Sequence, residues 1–224
     1  MERLLLIGNS RWHWCAGGQF WHNSPNQGLE QFRQSPPLCW AAVGTVPIQL
    51  APWQQLQITT EAVPLKQMAM GLGIDRALAG WGAWHRTGGA VMVVDAGTAL
   101  SFTLVDSTGT FCGGRIMAGA GLQLRALHQA TAALPVIELE PCLETWPRNT
   151  REALAAGVLQ GLSAAVIRGY GELSGEFEQA KLWVTGGDAE LILPNLLEAK
   201  INPRWAPNLA LEALDQVNRL NQDH

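Results

Sequence analysis

Apolar positions open the chain as a short run, Leu4 to Ile7, closed by Gly8-Asn9-Ser10. Trp12 and Trp14 then alternate with Arg11 and His13, and Ala16-Gly17-Gly18 turns into Phe20-Trp21. Period-two alternation marks strands and the glycine clusters mark turns, so the stretch predicts strand, tight turn, strand, turn, strand. The same meander returns as Val91 to Asp95, a Gly97-Thr98 turn, Leu100 to Val105, an Asp106-Ser107-Thr108-Gly109 turn, and Phe111 to Ile116. Helix-forming sequence follows each copy: Leu65 to Trp84, interrupted at Gly71 to Gly73, and Leu122 to Leu134. Arg151 to Tyr170 predicts a helix with one strongly buried side, because Leu154, Val158, Leu162 and Val166 recur every four residues, and Gly157 and Gly161 offer a close-approach face. Lys181 to Thr185 reads as a short strand ending in Gly186-Gly187, and Leu209 to Leu220 as a closing amphipathic helix.

Repetition of one supersecondary unit favours two similar halves over one large fold. The boundary falls near Arg86 to Gly89, giving halves of residues 1–88 and 89–224. Composition agrees with a packed protein: 47% of residues are apolar and 15% charged over 224 residues, which excludes general disorder. The net charge of −4, without a block of one sign, gives a nucleic acid or an anionic membrane no electrostatic foothold, so neither is expected as a partner. Cys15, Cys39, Cys112 and Cys142 lack CxxC spacing and sit among apolar or small neighbours, the pattern of buried thiols in a reducing compartment. The opening apolar run is too short for a signal peptide or a membrane span, and a cytoplasmic protein is expected. Ten tryptophans spread along the chain read as core and rim packing.

Three segments can carry chemistry. Asp95-Ala96-Gly97-Thr98 joins two strands, where main-chain N–H groups and a hydroxyl can converge on an anion and the carboxylate can bind a cation. An ordinary hairpin turn is the alternative. The related Gly8-Asn9-Ser10 turn in the first half, Gly113-Gly114, and Thr185-Gly186-Gly187 favour paired turns facing a polyphosphate across a cleft. Gly73-Ile74-Asp75-Arg76 sets a carboxylate beside a guanidinium at the start of helical sequence; Asp75 is either a plain helix cap or a base that takes a proton from an alcohol, with Arg76 fixing an anionic or carbonyl group. Asn149-Thr150-Arg151-Glu152 has capping-box spacing, and Thr150 can present its hydroxyl to a ligand from the helix start. The five histidines show no HxH or HExxH spacing, so a zinc site is not expected.

Together these segments resemble the type III pantothenate kinases of the acetate/sugar kinase, Hsp70 and actin superfamily. The likeness runs through Gly8-Asn9-Ser10, the GxDR of Gly73-Ile74-Asp75-Arg76, the DxGTA of Asp95 to Ala99, Gly113-Gly114-Arg115-Ile116 with Gly119, Leu134-Pro135, Asn149-Thr150, and Thr185-Gly186-Gly187. The resemblance implies an α/β fold of two actin-like (ribonuclease H-like) halves. Each is a mixed sheet with helices, with a nucleotide cleft between them; the first carries the first phosphate turn and GxDR, the second the DxGTA, the TGG and dimer-forming helices. It implies transfer of phosphate from ATP to pantothenate, giving 4′-phosphopantothenate, the first step toward coenzyme A. By position, Asp75 matches the family's proton acceptor, and Gly73, Ile74, Asp75 and Arg76 border pantothenate. Gly8, Asn9, Ser10, Arg11 and Thr98 face the ATP phosphates, with Mg²⁺ accompanying the nucleotide. Asp95 matches the ligand of a monovalent cation, K⁺ or NH₄⁺, and Gly186-Gly187 lies by the adenosine. Thr150 touches pantothenate, in the family from across a homodimer interface.

Two positions depart from the family pattern. Leu6 stands where the first phosphate motif has an aspartate, with Ser10 replacing its threonine, and Lys66 to Met70 lacks the tyrosine often found near the substrate. The alternatives to a pantothenate kinase are a nucleotide-binding regulatory accessory protein of the same fold that does no chemistry, and a kinase for another small alcohol.

Overall fold

The computed structural model describes residues 3–141, 144–177 and 179–222. The elements begin with β1 (Arg3–Ile7), β2 (Trp12–Ala16), β3 (Gln19–Asn23), α1 (Pro25–Gln34), β4 (Cys39–Ala42) and α2 (Ile74–Thr87). They continue with β5 (Val91–Ala96), β6 (Ala99–Val105), β7 (Phe111–Ala118), α3 (Ala120–Ala130) and α4 (Thr150–Glu176), then β8 (Lys181–Thr185), α5 (Ala189–Glu198), β9 (Arg204–Trp205) and α6 (Leu209–Gln222). Short 3₁₀ segments, Ile48–Leu56 and Thr60–Ala62, lie between β4 and α2.

Two sheets result. In the first, ordered β3-β2-β1-β4, β1 runs antiparallel to β2 and parallel to β4. The second is ordered β7-β6-β5-β8-β9, with β5, β8 and β9 parallel. Each sheet therefore uses its first three strands as a meander and places its fourth, after a crossover, on the far side of the first strand. The repeat read from the sequence is this shared topology.

The chain forms two compact units: one holds the residues up to Gly88, Val105–Phe111 and the segment from Asn208 onward, the other Gly89–Leu104 and Cys112–Pro207. In the first unit, Leu5, Ile7, Trp12, Trp14, Phe32, Trp40 and Leu50 form a tryptophan-rich core. Helix α1 reaches it because Gly28 has no side chain: a Cβ there would stand 2.6 Å from the Trp12 ring. Gly82 on α2 has the same role toward α6, where a Cβ would lie 2.8 Å from that of Ala213. In the second unit, Val94, Leu100, Leu159, Val166, Leu182, Ile192 and Leu196 are among the core residues. Helix α4 packs there on α3 and α5 through the predicted Val158, Leu162 and Val166 stripe. Thr150–Ser174 is apolar and long enough to cross a membrane; here its apolar side is part of this core.

Several expectations are corrected. Leu65 to Gly73 is not helical, because the Lys66 main chain pairs with Gly109 and Phe111 (2.9 Å each), holding the segment extended along the second meander's far turn. Helix α1 and strand β4 were not anticipated; α1 has few apolar residues and starts on Ser24, whose N–H and hydroxyl donate to Gln27 Oε1 (3.2 and 2.8 Å). Gly157 and Gly161 approach nothing within 4 Å in this chain. Of the thiols, Cys39 is buried and Cys15 partly so, but Cys112 is exposed on β7; Cys142 lies outside the described residues.

Candidate functional site

In the first unit, the Gly8 to Arg11 turn links β1 to β2. Gly8 N–H donates to the Arg11 carbonyl at 2.9 Å, which closes the turn and leaves Asn9, Ser10 and Arg11 exposed at its tip. Leu6, two residues before the turn, is buried and apolar, so the turn receives no metal-binding carboxylate from that position.

The same unit holds Gly73 to Arg76. The helix cap is Gly73, not Asp75, which sits inside the first turn of α2. Asp75 folds back toward the cap: its Oδ1 accepts the Arg76 N–H at 2.8 Å, and a Cβ on Gly73 would lie 2.6 Å from that oxygen. Glycine at this cap is thus what gives the carboxylate its place. Burial raises the Asp75 carboxyl above the usual carboxylate range, against the pull of the Arg76 N–H and guanidinium. A carboxylate with raised basicity and modest hydrogen bonding suits proton abstraction better than permanent ion pairing. The Arg76 guanidinium stands 6.0 Å over the Phe111 ring, which orients it by a cation–π contact. That placement was not legible in the sequence, since the Lys66–Phe111 pairing brings the ring there.

In the second unit, Asp95, the next-to-last residue of β5, lies opposite Thr185 of β8. Three glycine backbones close around this corner. A Cβ on Gly186, whose φ is +93°, would overlap Asp95 Oδ1 and the Ala96 carbonyl. A Cβ on Gly119 would overlap the Gly97 carbonyl and lie 2.8 Å from that of Thr98, whose oxygen accepts the Gly119 N–H at 3.0 Å. Ala96 O accepts the Asp188 N–H at 2.9 Å, so the start of α5 is tied to the same corner. The resemblance places Gly186-Gly187 by the adenosine; in the structure Gly186 packs against Asp95 and Ala96. The corner sets one carboxylate beside main-chain oxygens, the hard donor type that cations such as K⁺ take. Among the described residues no group of three or more His, Cys, Asp or Glu could hold a metal ion.

Thr98 is exposed in the β5–β6 turn. Thr150 is exposed at the first position of α4, and the cap is Asn149, whose side chain accepts the Glu152 N–H at 2.9 Å. The structure gathers Gly73 to Arg76 with Phe111, and Asp95 and Thr98 with Gly119 and Gly186. Gly113 and Gly114 lie apart, on the exposed edge strand β7.

Two mixed sheets of one strand order, each beginning with a glycine-turned hairpin, define the α/β fold of the actin-like and sugar-kinase ATPases. A solved Campylobacter jejuni protein assigned to the Baf family of transcriptional activators superposes with a TM-score of 0.71 at 20% identity, over 99% of this chain and 100% of that one. A Sinorhizobium meliloti protein assigned as a 2-dehydro-3-deoxygalactonokinase gives 0.59 at 13% identity, over 99% of both chains. In sequence, residues 41–171 match the type III pantothenate kinase family. The type III pantothenate kinase of Synechococcus sp. (strain JA-3-3Ab) is 38% identical over 99% of this chain and 94% of its own. That of Thermosynechococcus vestitus is 40% identical over 90% and 83%. The chain belongs to the type III pantothenate kinase family.

Proposed function

We propose that the protein transfers the γ-phosphoryl group of ATP to the hydroxyl of pantothenate, giving 4′-phosphopantothenate and ADP in the first step of coenzyme A synthesis. The observation that carries this is the family membership along nearly the whole chain, joined to the Asp75 geometry. Asp75 takes the hydroxyl proton as the new O–P bond forms and the bond to the β-phosphate oxygen breaks. Gly73, Ile74 and Arg76 border pantothenate, Arg76 as the fixed cation. Phosphoryl transfer passes through a loose transition state, so alignment and charge compensation supply most of the rate.

The Gly8, Asn9, Ser10 and Arg11 turn and Thr98 receive the ATP phosphates. Mg²⁺ arrives with the nucleotide and supplies charge neutralisation there. Asp95 is the ligand of K⁺ or NH₄⁺, supported by the glycine-lined corner around its carboxylate. Thr150 reaches pantothenate across a homodimer interface. The enzyme works in the cytoplasm on a small molecule. The test is ATP consumption and phosphopantothenate formation with pantothenate, compared with sugars, acetate and no acceptor. Turnover independent of pantothenate, or none, would overturn the reading.

A further inference from the structure

Phe111 opens β7, yet with the turn before it, Val105–Phe111, it belongs to the first unit, which also holds α2. The turn is closed by its own side chain: Asp106 Oδ1 accepts the Thr108 N–H and hydroxyl (2.8 Å each) and the Thr110 N–H (2.9 Å). It is also fastened to the rest of the unit. Lys66 Nζ donates to the Thr108 carbonyl at 2.8 Å, beside the main-chain pairing of Lys66 with Gly109 and Phe111. Trp84 Nε1 donates to the Ser107 carbonyl at 3.2 Å, and a Cβ on Gly109, whose φ is +80°, would stand 2.9 Å from the Trp84 ring. Trp84 lies in the last turn of α2 and Arg76 in the first. The helix between them is about 12 Å long, so one turn grips α2 near its end and lays Phe111 against Arg76 at its start.

Arg76 gains from such a neighbour. Its guanidinium is half-buried, where burial disfavours the charge and Asp75 favours it. Fixing an arginine costs side-chain entropy, and a group that orders it beforehand removes that cost from substrate binding. An aromatic ring does this in a way a carboxylate does not. Its face attracts the cation but brings no negative charge, so the ring orders the guanidinium without competing with an anionic substrate for it. The separation of 6.0 Å is at the outer reach of the contact, which makes the effect a modest one. Lys66, in the segment that lacks the family's tyrosine, turns its ammonium to Thr108 and so serves the turn.

We propose that Phe111 is a positioning residue for the acceptor site: the Val105–Phe111 turn, locked to α2 by Trp84 and to the preceding segment by Lys66, holds the Phe111 ring against Arg76 and orders the guanidinium before the anionic acceptor binds. The proposal rests on the pantothenate reading above and adds to it a residue from outside the GxDR segment. Steady-state kinetics of the full chain compare Phe111→Leu, which keeps apolar bulk without a ring face, with Phe111→Tyr, which keeps the face. Phe111→Leu is expected to raise the KM for pantothenate about twofold to fivefold, with kcat and the KM for ATP little changed, and Phe111→Tyr to stay near the wild type. In an Arg76→Gln background, Phe111→Leu should add nothing further. Lys66→Met, which loosens the turn from its far side, should raise the same KM. An upfield ring shift of the Arg76 side-chain protons, read by NMR, should be present in the wild type and Phe111→Tyr and lost in Phe111→Leu. Equal damage from Leu and Tyr, additivity with Arg76→Gln, a matching rise in the KM for ATP, or no ring shift in the wild type overturns the proposal. If Phe111→Leu fails to fold, Lys66→Met and the wild-type ring shift decide. If the wild type shows the shift and binds pantothenate in calorimetry, more weakly once Phe111 is replaced by Leu, but does not phosphorylate it, the kinase reading falls and the positioning role stands.

Discussion

Gly186 has no side chain because the Asp95 carboxylate occupies the space: a Cβ there would overlap Asp95 Oδ1 and the carbonyl of Ala96, and its φ of +93° disfavours any other residue. Strand β8 can therefore end directly against the corner where β5 ends. Gly187, the next residue, has nothing within 4 Å of its would-be Cβ. Adjacent glycines in one motif thus have opposite structural demands.

The expected consequence is a contrast in stability. Gly186→Ala should lose about 2–4 kcal/mol, from overlap with backbone plus left-handed strain. Gly187→Ala should stay within about 0.5 kcal/mol of the wild type. Urea unfolding of both variants measures the difference, and equal losses would contradict the packing described around Asp95.

Asp75→Asn should keep the fold and lose phosphopantothenate formation by about 10²- to 10⁴-fold. The raised carboxyl pKa also fixes the sign of two pH effects. Activity should fall as pH drops through a value above the ordinary carboxylate range, since the base must be ionised. For stability, the folded pKa exceeds the unfolded one, so the ionised group costs stability above the folded value and none below the unfolded value. Asp75→Asn should therefore be at least as stable as the wild type at neutral pH, with the difference vanishing in acid. A less stable variant at pH 7 would mean the carboxylate is held by stronger contacts than the Arg76 N–H.

Asp95 in its glycine corner leads to a salt dependence. At constant ionic strength, turnover should rise with K⁺ or NH₄⁺ and not with Na⁺, and Asp95→Asn should abolish that rise. Equal rates in Na⁺ and K⁺ would remove the cation from the corner.

What the sequence made legible was local. The two meanders show because alternation and glycine turns are properties of a few neighbouring residues, and Val158, Leu162 and Val166 mark the buried side of α4 for the same reason. Asp75 and Asp95 stood out by motif, but their surroundings did not. Phe111 reaches Arg76 only through the pairing of Lys66 with the far turn of the second meander, and Gly119 reaches Gly97 only through tertiary packing. Helix α1 was hidden because it shows the core little more than Leu29 and Phe32, with Gly28 against Trp12. The β2–β3 hairpin has a strand-alternation signal, yet its register depends on the turn at Gly17 and Gly18, both at positive φ.

The thiols should differ in reactivity. Burial, reinforced by Asp215, pushes the Cys39 thiol up to about 12, whereas Cys112 is exposed on β7. Because the thiolate is the nucleophile, iodoacetamide at pH 8 should label Cys112 in the native protein and spare Cys39 until the chain unfolds. Above the unfolded thiol's pKa of about 8.5, the unfolded chain gains by ionising Cys39, so this group lowers stability as pH rises further. Peptide mass spectrometry of alkylated native protein reads the result; early labelling of Cys39 would show that β4 opens.

Asn149 and Thr150 are neighbours with separable roles. Asn149 caps α4 through the Glu152 N–H, so Asn149→Ala should cost about 1 kcal/mol of stability. Thr150 is exposed at the first helical position and makes no cap, so Thr150→Ala should change stability by less than about 0.5 kcal/mol. If the Thr150 hydroxyl touches pantothenate, the same variant should raise the KM for pantothenate and leave the KM for ATP alone. Because that contact is expected from a second copy of the chain, mixing Thr150→Ala with an inactive Asp75→Asn protein should restore some wild-type KM in the heterodimer, where one site has both its own Asp75 and the other copy's Thr150. Absence of any such complementation, with exchange of subunits demonstrated by mass, would place Thr150 in its own chain's site or in none.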